Sequence, residues 1–358
     1  MYEMRIAQIA PLTEPVPPLL YGGIERVVSF LTEELVALGH DVTLFASGDS
    51  CTQAMLIPGW PRALRADPSC RDTVQPHVLM MENVSRHASR FDVLHFHFDH
   101  WYFSPLECLT TPTLTTLHGR LDLLAPTCGA FRDLPLVSIS DAQRQSLPQA
   151  NFLRTIHHGI PPDLLTPQPE KQEYLAFLGR ISPEKGVDKA IHIAGKSGMS
   201  LKIAAKVDMA DNDYYRSVIQ PLIQVSPWVD FIGEIDDARK PEFLSGAHAL
   251  LFPIDWPEPF GLAMIESMAC GTPVIAFHRG SVPEVVDESL TGFVVEDEAA
   301  AIRAVRRLDE LDRGPVRRQF ENRFVVRRMA MEYLSLYQRM ALDLARTHPD
   351  GPTRTLSA

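Results

Sequence analysis

The chain has no C-x-x-C pair. Its five cysteines, at 51, 70, 108, 128 and 270, are odd in number and widely scattered. That excludes a disulfide framework and a cysteine zinc site, and it fits reduced thiols and a cytoplasmic location. Nor is there an apolar run near the roughly 18–20 residues a membrane span requires. The opening stretch, Met1 to Ala10, carries Glu3 and too short an apolar run for a signal peptide, so it reads as a first buried strand. Lysine is absent from residues 1–165, where 11 arginines stand against 17 acidic residues. With a net charge of −11 overall, general nucleic-acid binding is excluded. A P-loop, G-x-x-x-x-G-K-[ST], is missing throughout.

What is present is an ordinary globular composition, 45% hydrophobic and 22% charged over 358 residues, which predicts two middle-sized domains. Residues 300–339 carry 10 arginines against 5 acidic residues. This reads first as a solvated helix face, with weak peripheral contact to an anionic membrane or an acidic partner as the other reading. Up to residue 160, short apolar runs alternate with helical periodicity. Strands are expected at 5–10, 41–46, 92–98, 112–117, 136–139 and 152–156, with helices at 24–38 (stopping at Gly39), 78–89 and 141–146. Residues 161–171 hold four prolines and no periodicity, which marks a linker. Beyond it the alternation restarts, with strands at 174–178, 201–205, 229–232, 249–252, 273–276 and 292–295. Helices are expected near 187–196, 213–225, 238–245 and 262–269, then almost continuously from 298 to 346. The pattern predicts two doubly wound α/β domains with parallel sheets: residues 1–165, residues 172–325, a C-terminal helix 326–346 that can cross back to the first domain, and a tail 347–358.

Ligands of such sheets bind beyond the carboxyl ends of the strands, where loops enter helices. Three loops there are chemically suggestive. Gly22-Gly23 opens the first helix and lets backbone N–H groups approach an anion, a bare Gly-Gly turn being the other reading. Gly179-Arg180 to Lys185-Gly186 ends a buried strand and places two cations at a helix mouth, which suits a diphosphate better than a monocarboxylate. The third loop presents Glu258, then Phe260, Gly261 and Leu262 at a helix start, with Glu266 eight residues on. That is roughly 12 Å of helix rise, enough to grip two ends of an elongated ligand.

Glu258-x7-Glu266 followed by Ser267-Met268-Ala269-Cys270-Gly271-Thr272-Pro273-Val274 resembles the E-x7-E signature of the family-4 retaining glycosyltransferases, which have the GT-B fold of two facing Rossmann-like domains. Further motifs extend the resemblance over nearly the whole chain, among them Leu117-His118-Gly119, Gly179-Arg180 with Lys185-Gly186, and Gly280-Ser281-Val282-Pro283-Glu284. The resemblance implies a nucleotide-sugar donor, with no metal and no cofactor. Arg180 and Lys185 would hold the diphosphate and Glu266 the ribose hydroxyls. Glu258 and the N–H groups of Phe260, Gly261 and Leu262 would hold the hexose, with His118 beside it. Gly22 and Gly23 would close over the phosphates, and the base would lie near Glu234 and Ile235. Catalytic roles fall on His118, Arg180, Lys185 and Glu258. UDP-glucose is the expected donor, the acceptor hydroxyl being on a small molecule, glycan or lipid. Pro253-Ile254-Asp255-Trp256-Pro257 is similar to a bacterial subgroup that includes pteridine glucosyltransferases. Two departures stand out: His158 where many relatives have Asn, and Ala205, in place of Gly, expected to tighten the turn after its strand.

Other constellations take plainer readings. His95, His97 and Asp99 would share one strand face, a metal-like set with His100 beside it, but polar residues are expected at such a strand end. Asp211-Asn212-Asp213 matches a D-x-D motif and reads as a helix cap. Ser281-x-x-Glu284 reads as a capping box, and Cys270 as buried and inert. The alternatives to a transferase are a nucleotide-sugar epimerase of the same fold and a non-catalytic nucleotide-sugar-binding protein. The proline linker leads us to expect domains that hinge.

Overall fold

The computed structural model describes residues 3–98, 106, 109–122, 124, 129–169 and 172–347; Asp99, His100, Cys108, Cys128, the linker's last two residues (170–171) and the tail from 348 lie outside the described residues. Seven parallel strands form the first sheet: β1 (Arg5–Ile9), β2 (Asp41–Ser47), β3 (Met55–Trp60), β4 (Val93–Phe96), β5 (Thr113–Thr116), β6 (Leu136–Ser138) and β7 (Phe152–Thr155), in the order β3-β2-β1-β4-β5-β6-β7. Six more form the second: β8 (Tyr174–Arg180), β9 (Ser200–Lys206), β10 (Val229–Gly233), β11 (Ala249–Phe252), β12 (Val274–Phe277) and β13 (Gly292–Val295), in the order β10-β9-β8-β11-β12-β13. Helices cover both faces, so central strands are buried; β4 and β11 are buried at every residue. Strand order reverses between β1 and β4 and between β8 and β11, and each reversal opens a crevice at the strand ends.

One strand was not legible. No strand is expected between residues 46 and 92, where Pro58 and Gly59 stand, yet β3 forms there. It pairs only with β2, placing Ala46 opposite Pro58, and a sheet edge tolerates a residue with no N–H to donate. The expected helix at 213–225 starts at Asn212 and passes through a π-helical turn, Tyr215–Ile219, before Pro221. The C-terminal tract is three helices, Glu298–Val305, Arg313–Arg323 and Val326–Thr347.

The last helix packs Val326, Met329, Tyr333 and Tyr337 against Met4, Ile6, Leu31 and Leu35 of the first sheet and its first helix. It returns beside the linker: Ile160 N–H donates to the Phe324 carbonyl at 2.9 Å and Val326 N–H to the Ile160 carbonyl at 3.0 Å. Arg317 then pins the linker, donating to the carbonyls of Pro162 (2.8 Å) and Leu165 (2.8 Å). The 300–339 arginines are thus not one cationic face. Arg313, Arg317, Arg323 and Arg328 all turn onto backbone carbonyls.

The expected capping box at Ser281 does not form. Ser281 Oγ donates to the Phe260 carbonyl at 2.9 Å. Glu284 instead caps a helix of the first domain, accepting from the N–H groups of Asp141 (2.8 Å) and Ala142 (2.6 Å) and bonding His157 Nε2 at 3.1 Å. Burial alone would raise its pKa; those three bonds bring it below the usual value. Glu284→Ala leaves two helix N-terminal donors without their anion, and stability should fall by about 1–3 kcal/mol. A urea unfolding midpoint equal to the parent's would mean that solvent serves those donors as well.

Candidate functional site

The two sets of strand ends face each other across a cleft of about 340 Å³. Its lining draws together all twelve residues expected at the donor site: Gly22 and Gly23 at the start of the first helix, His118 after β5, Arg180 at the end of β8 and Lys185 after it, Glu234 and Ile235 after β10, and Glu258, Phe260, Gly261, Leu262 and Glu266 after β11.

The loop after β11 is built around a buried carboxylate. Glu258 Oε2 accepts from Lys185 Nζ at 2.8 Å and from Trp256 Nε1 at 2.7 Å, and the ammonium also lies 4.8 Å over the Trp256 ring. Gly261 starts the helix Leu262–Ala269 with φ +82°, a left-handed backbone conformation that favours glycine. Residues 258–261 are therefore not helical, and the helix-rise estimate for the Glu258–Glu266 spacing does not hold. On the other side of the β8 loop, Arg180 donates to Glu184 at 2.7 Å and its Nε lies 3.4 Å from Asp211 Oδ2. Asp211 is thus an ion-pair partner and not the side-chain cap that its D-x-D setting predicted; Asp208 caps there, accepting from Ala210 N–H. Ala205 also differs from expectation, lying within β9 and lining the cleft.

Glu266 sits at the end of a charge chain that sequence reading missed. Lys240 Nζ donates to Glu266 Oε1 at 2.6 Å and lies 3.1 Å from Asp237 Oδ1. Asp237 in turn accepts from Arg26, whose other nitrogen holds the Leu20 carbonyl at 2.6 Å. The chain crosses the cleft from the second domain to the first helix. In sequence Lys240 is one more cation before a helix-starting proline; only the fold brings it to Glu266.

Next to Arg26, Glu25 is 5% exposed. Burial pushes its carboxyl up to about 7 from an ordinary 4.5, Glu14's charge adds to this, and backbone N–H bonds oppose it. The folded protein therefore holds this proton more tightly than the unfolded chain does. Stability should fall as pH rises from about 4.5 to about 7, with a slope approaching 1.4 kcal/mol per pH unit, and level off above. Glu25→Gln should flatten that slope in unfolding measurements across the window; parallel curves for parent and variant would assign it elsewhere.

His118 is held on a pinned loop: the carbonyls of Leu117 and Gly119 both accept from Gln143 Nε2, at 2.9 and 2.8 Å. Its ring stacks on His158 at 5.2 Å, and His158 meets the Phe260 ring edge-on at 4.9 Å. Burial pushes the His118 imidazole down to about 3 and lowers His95, His97 and His158 as well. His95 and His97 do lie together, ring centroids 3.9 Å apart, but both nitrogens of each are already hydrogen-bonded. Asp99 and His100, the rest of that metal-like set, lie outside the described residues. Cys270 is buried, and burial raises its thiol to about 11.

Chemically, the cleft offers two cations, a helix N-terminus, a buried carboxylate held by Lys185 and a second carboxylate held by Lys240. Residues 21–164 match the family described as Glycosyltransferase Family 4 and residues 166–324 match Glycosyl transferases group 1. The chain is 26% identical over 341 residues, 84% of its length and 86% of the relative's, to phosphatidyl-myo-inositol mannosyltransferase of Mycobacterium leprae. It shares its fold with sucrose-phosphate synthase from Thermosynechococcus elongatus (TM-score 0.78, 21% identity, 95% of this chain and 100% of that one). The same holds for the Anabaena protein Alr3699/HepE in complex with UDP and glucose (TM-score 0.75, 15% identity, 94% and 100%). Among the described residues no helix is long and apolar enough to cross a membrane.

Proposed function

The chain belongs to the family-4 glycosyltransferases with a GT-B fold, and from that premise we propose that it moves a hexose, with retention, from a nucleotide-diphosphate sugar to a hydroxyl of its acceptor. The observation that carries this is that Arg180, Lys185 and the start of the Leu262–Ala269 helix line the same cleft as the Lys240-held Glu266.

Breaking the sugar–diphosphate bond leaves negative charge on the departing phosphate and positive charge on the anomeric carbon. Arg180, Lys185 and the helix N-terminus answer the first charge from fixed positions, which is the arrangement that lowers a barrier most. On this reading the chain's own cations supply that stabilisation with no metal. Glu266 accepts the ribose hydroxyls, the base rests against Glu234 and Ile235, and Glu258 with the N–H groups of Phe260, Gly261 and Leu262 holds the hexose beside His118. Gly22 and Gly23 let the first helix come down on the phosphates. The acceptor oxygen attacks from the face the phosphate leaves, and its proton passes to that phosphate. Uridine diphosphate and glucose are the proposed base and sugar. HepE, crystallised in complex with UDP and glucose, supports that choice.

Thermal unfolding against UDP, GDP, ADP, UDP-glucose and GDP-mannose tests the reading. A ligand at about 100 times its dissociation constant adds roughly 2.7 kcal/mol. A midpoint rise with one base family, lost in Arg180→Ala and Glu266→Ala, is the expected result. A folded protein that no nucleotide stabilises would overturn it.

A further inference from the structure

A line of hydrogen-bonded side chains runs from the C-terminal helix, through the first sheet, to the cleft. Gln8 on β1 lies opposite His95 on β4 in the strand register. Tyr337 Oη meets His95 Nδ1 at 2.6 Å, and His95 Nε2 meets Thr116 Oγ1 at 2.7 Å. Gln8 Nε2 donates to Tyr337 Oη at 3.3 Å, and Gln8 Oε1 lies 2.6 Å from His97 Nε2. His97 Nδ1 then lies 3.1 Å from His118 Nε2. Gln8, His95 and Tyr337 are wholly buried and His97 is 1% exposed.

In such a place each donor needs an acceptor, so one fixed group sets the direction of the rest. That group is Gln8. Its carbonyl can only accept, so His97 carries its proton on Nε2. The bare His97 Nδ1 can only accept in turn, so His118 donates from Nε2. A neutral imidazole has one proton, and burial keeps both rings neutral. His118 Nδ1 is therefore left with a lone pair. That nitrogen is buried with no hydrogen-bond partner among the described residues, and the residue lines the cleft.

On the transferase reading of this cleft, we propose that Gln8 and His97 are positioning residues that lock His118 in the Nε2–H tautomer, so that it meets the transferring sugar as a hydrogen-bond acceptor and selects a neutral hexose over a hexuronate. A sugar hydroxyl supplies the proton that the bare nitrogen needs. A carboxylate brings only lone pairs and is repelled. Turning the Gln8 amide over would reverse every bond in the line and put the His118 proton on Nδ1, so the tautomer reports directly on the relay.

The test is a nitrogen-15 correlation spectrum of the histidine-labelled full chain near neutral pH, which distinguishes protonated from bare ring nitrogens. The parent protein should show His118 with its proton on Nε2. Gln8→Met keeps the length of the side chain and removes the carbonyl. It should mix the two tautomers and lower turnover about tenfold, while the nucleoside diphosphate alone binds as it does to the parent. With the base that stabilises the protein most, the glucosyl nucleotide should bind at least tenfold more tightly than the glucuronosyl nucleotide. A parent His118 protonated on Nδ1, an unchanged tautomer in Gln8→Met, or equal binding of the two sugars would overturn the proposal. The parent spectrum needs no variant and no activity. A His118 found as expected in a protein that transfers no sugar would sink the transferase reading and leave the relay standing.

Discussion

Lys185→Ala should lower sugar transfer by about a thousandfold and, separately, destabilise the fold. Lys185 is the one lysine among the sequence-derived site residues, and it does two jobs. In the resting cleft its ammonium neutralises Glu258, 2.8 Å away and 7% exposed. In the proposed reaction it faces the charge that develops on the leaving phosphate. Removing one fixed donor aimed at developing charge costs roughly 10²–10³ in rate, and here the remaining carboxylate adds repulsion against the same phosphate. Breaking a buried pair by deleting one partner costs about 3–5 kcal/mol. Adding Glu258→Gln to Lys185→Ala separates the two effects. The double variant should regain much of the unfolding midpoint, because Trp256 Nε1 can still donate to the amide oxygen, yet transfer should stay low. Transfer in Lys185→Ala within tenfold of the parent would show that this cation does not answer the leaving group.

Most of the architecture could be read from periodicity because parallel strands buried on both faces are continuous apolar runs, and residues such as 249–252 admit no other placement. The exceptions have local causes. At β3, Pro58 and Gly59 read as loop, and only an edge position makes them tolerable in a strand. Ser281 and Glu284 have the spacing of a capping box, but spacing cannot say which helix is capped, and Glu284 serves one that begins 143 residues earlier. The site divides the same way. Loops after strands could be found because glycines and prolines punctuate them. Lys240, Asp237, Arg26 and Gln8 could not be found, and His97 stood out only as part of a metal-like set, since nothing in their local sequence marks them until distant elements bring them to a carboxylate or a ring.

Gly280→Ala should disable the site from outside it. Gly280 follows β12 with φ +54°, and a Cβ there would stand 2.3 Å from the Glu258 carbonyl oxygen and 2.4 Å from the Glu258 nitrogen. Backbone cannot yield as a flexible side chain can. The next residue holds the same segment, Ser281 N–H donating to the Glu258 carbonyl at 2.9 Å and its hydroxyl to that of Phe260. The added methyl must push the Glu258 peptide away, and with it the carboxylate that Lys185 and Trp256 share. Left-handed backbone at a residue with a Cβ costs about 1–2 kcal/mol, and the overlap adds about 1–3 more. Transfer should fall a hundredfold or more in whatever protein remains folded. Gly198→Ala is the matched control: φ is +71° there, but nothing lies within 4 Å of the new Cβ. It should show the conformational cost alone, with turnover per folded molecule unchanged. Equal losses of turnover in the two variants would mean that contact with Glu258 is not what makes Gly280 necessary. A large loss confined to Gly280→Ala would tie the position of Glu258, and the chemistry proposed for it, to a glycine 22 residues away on a neighbouring strand end.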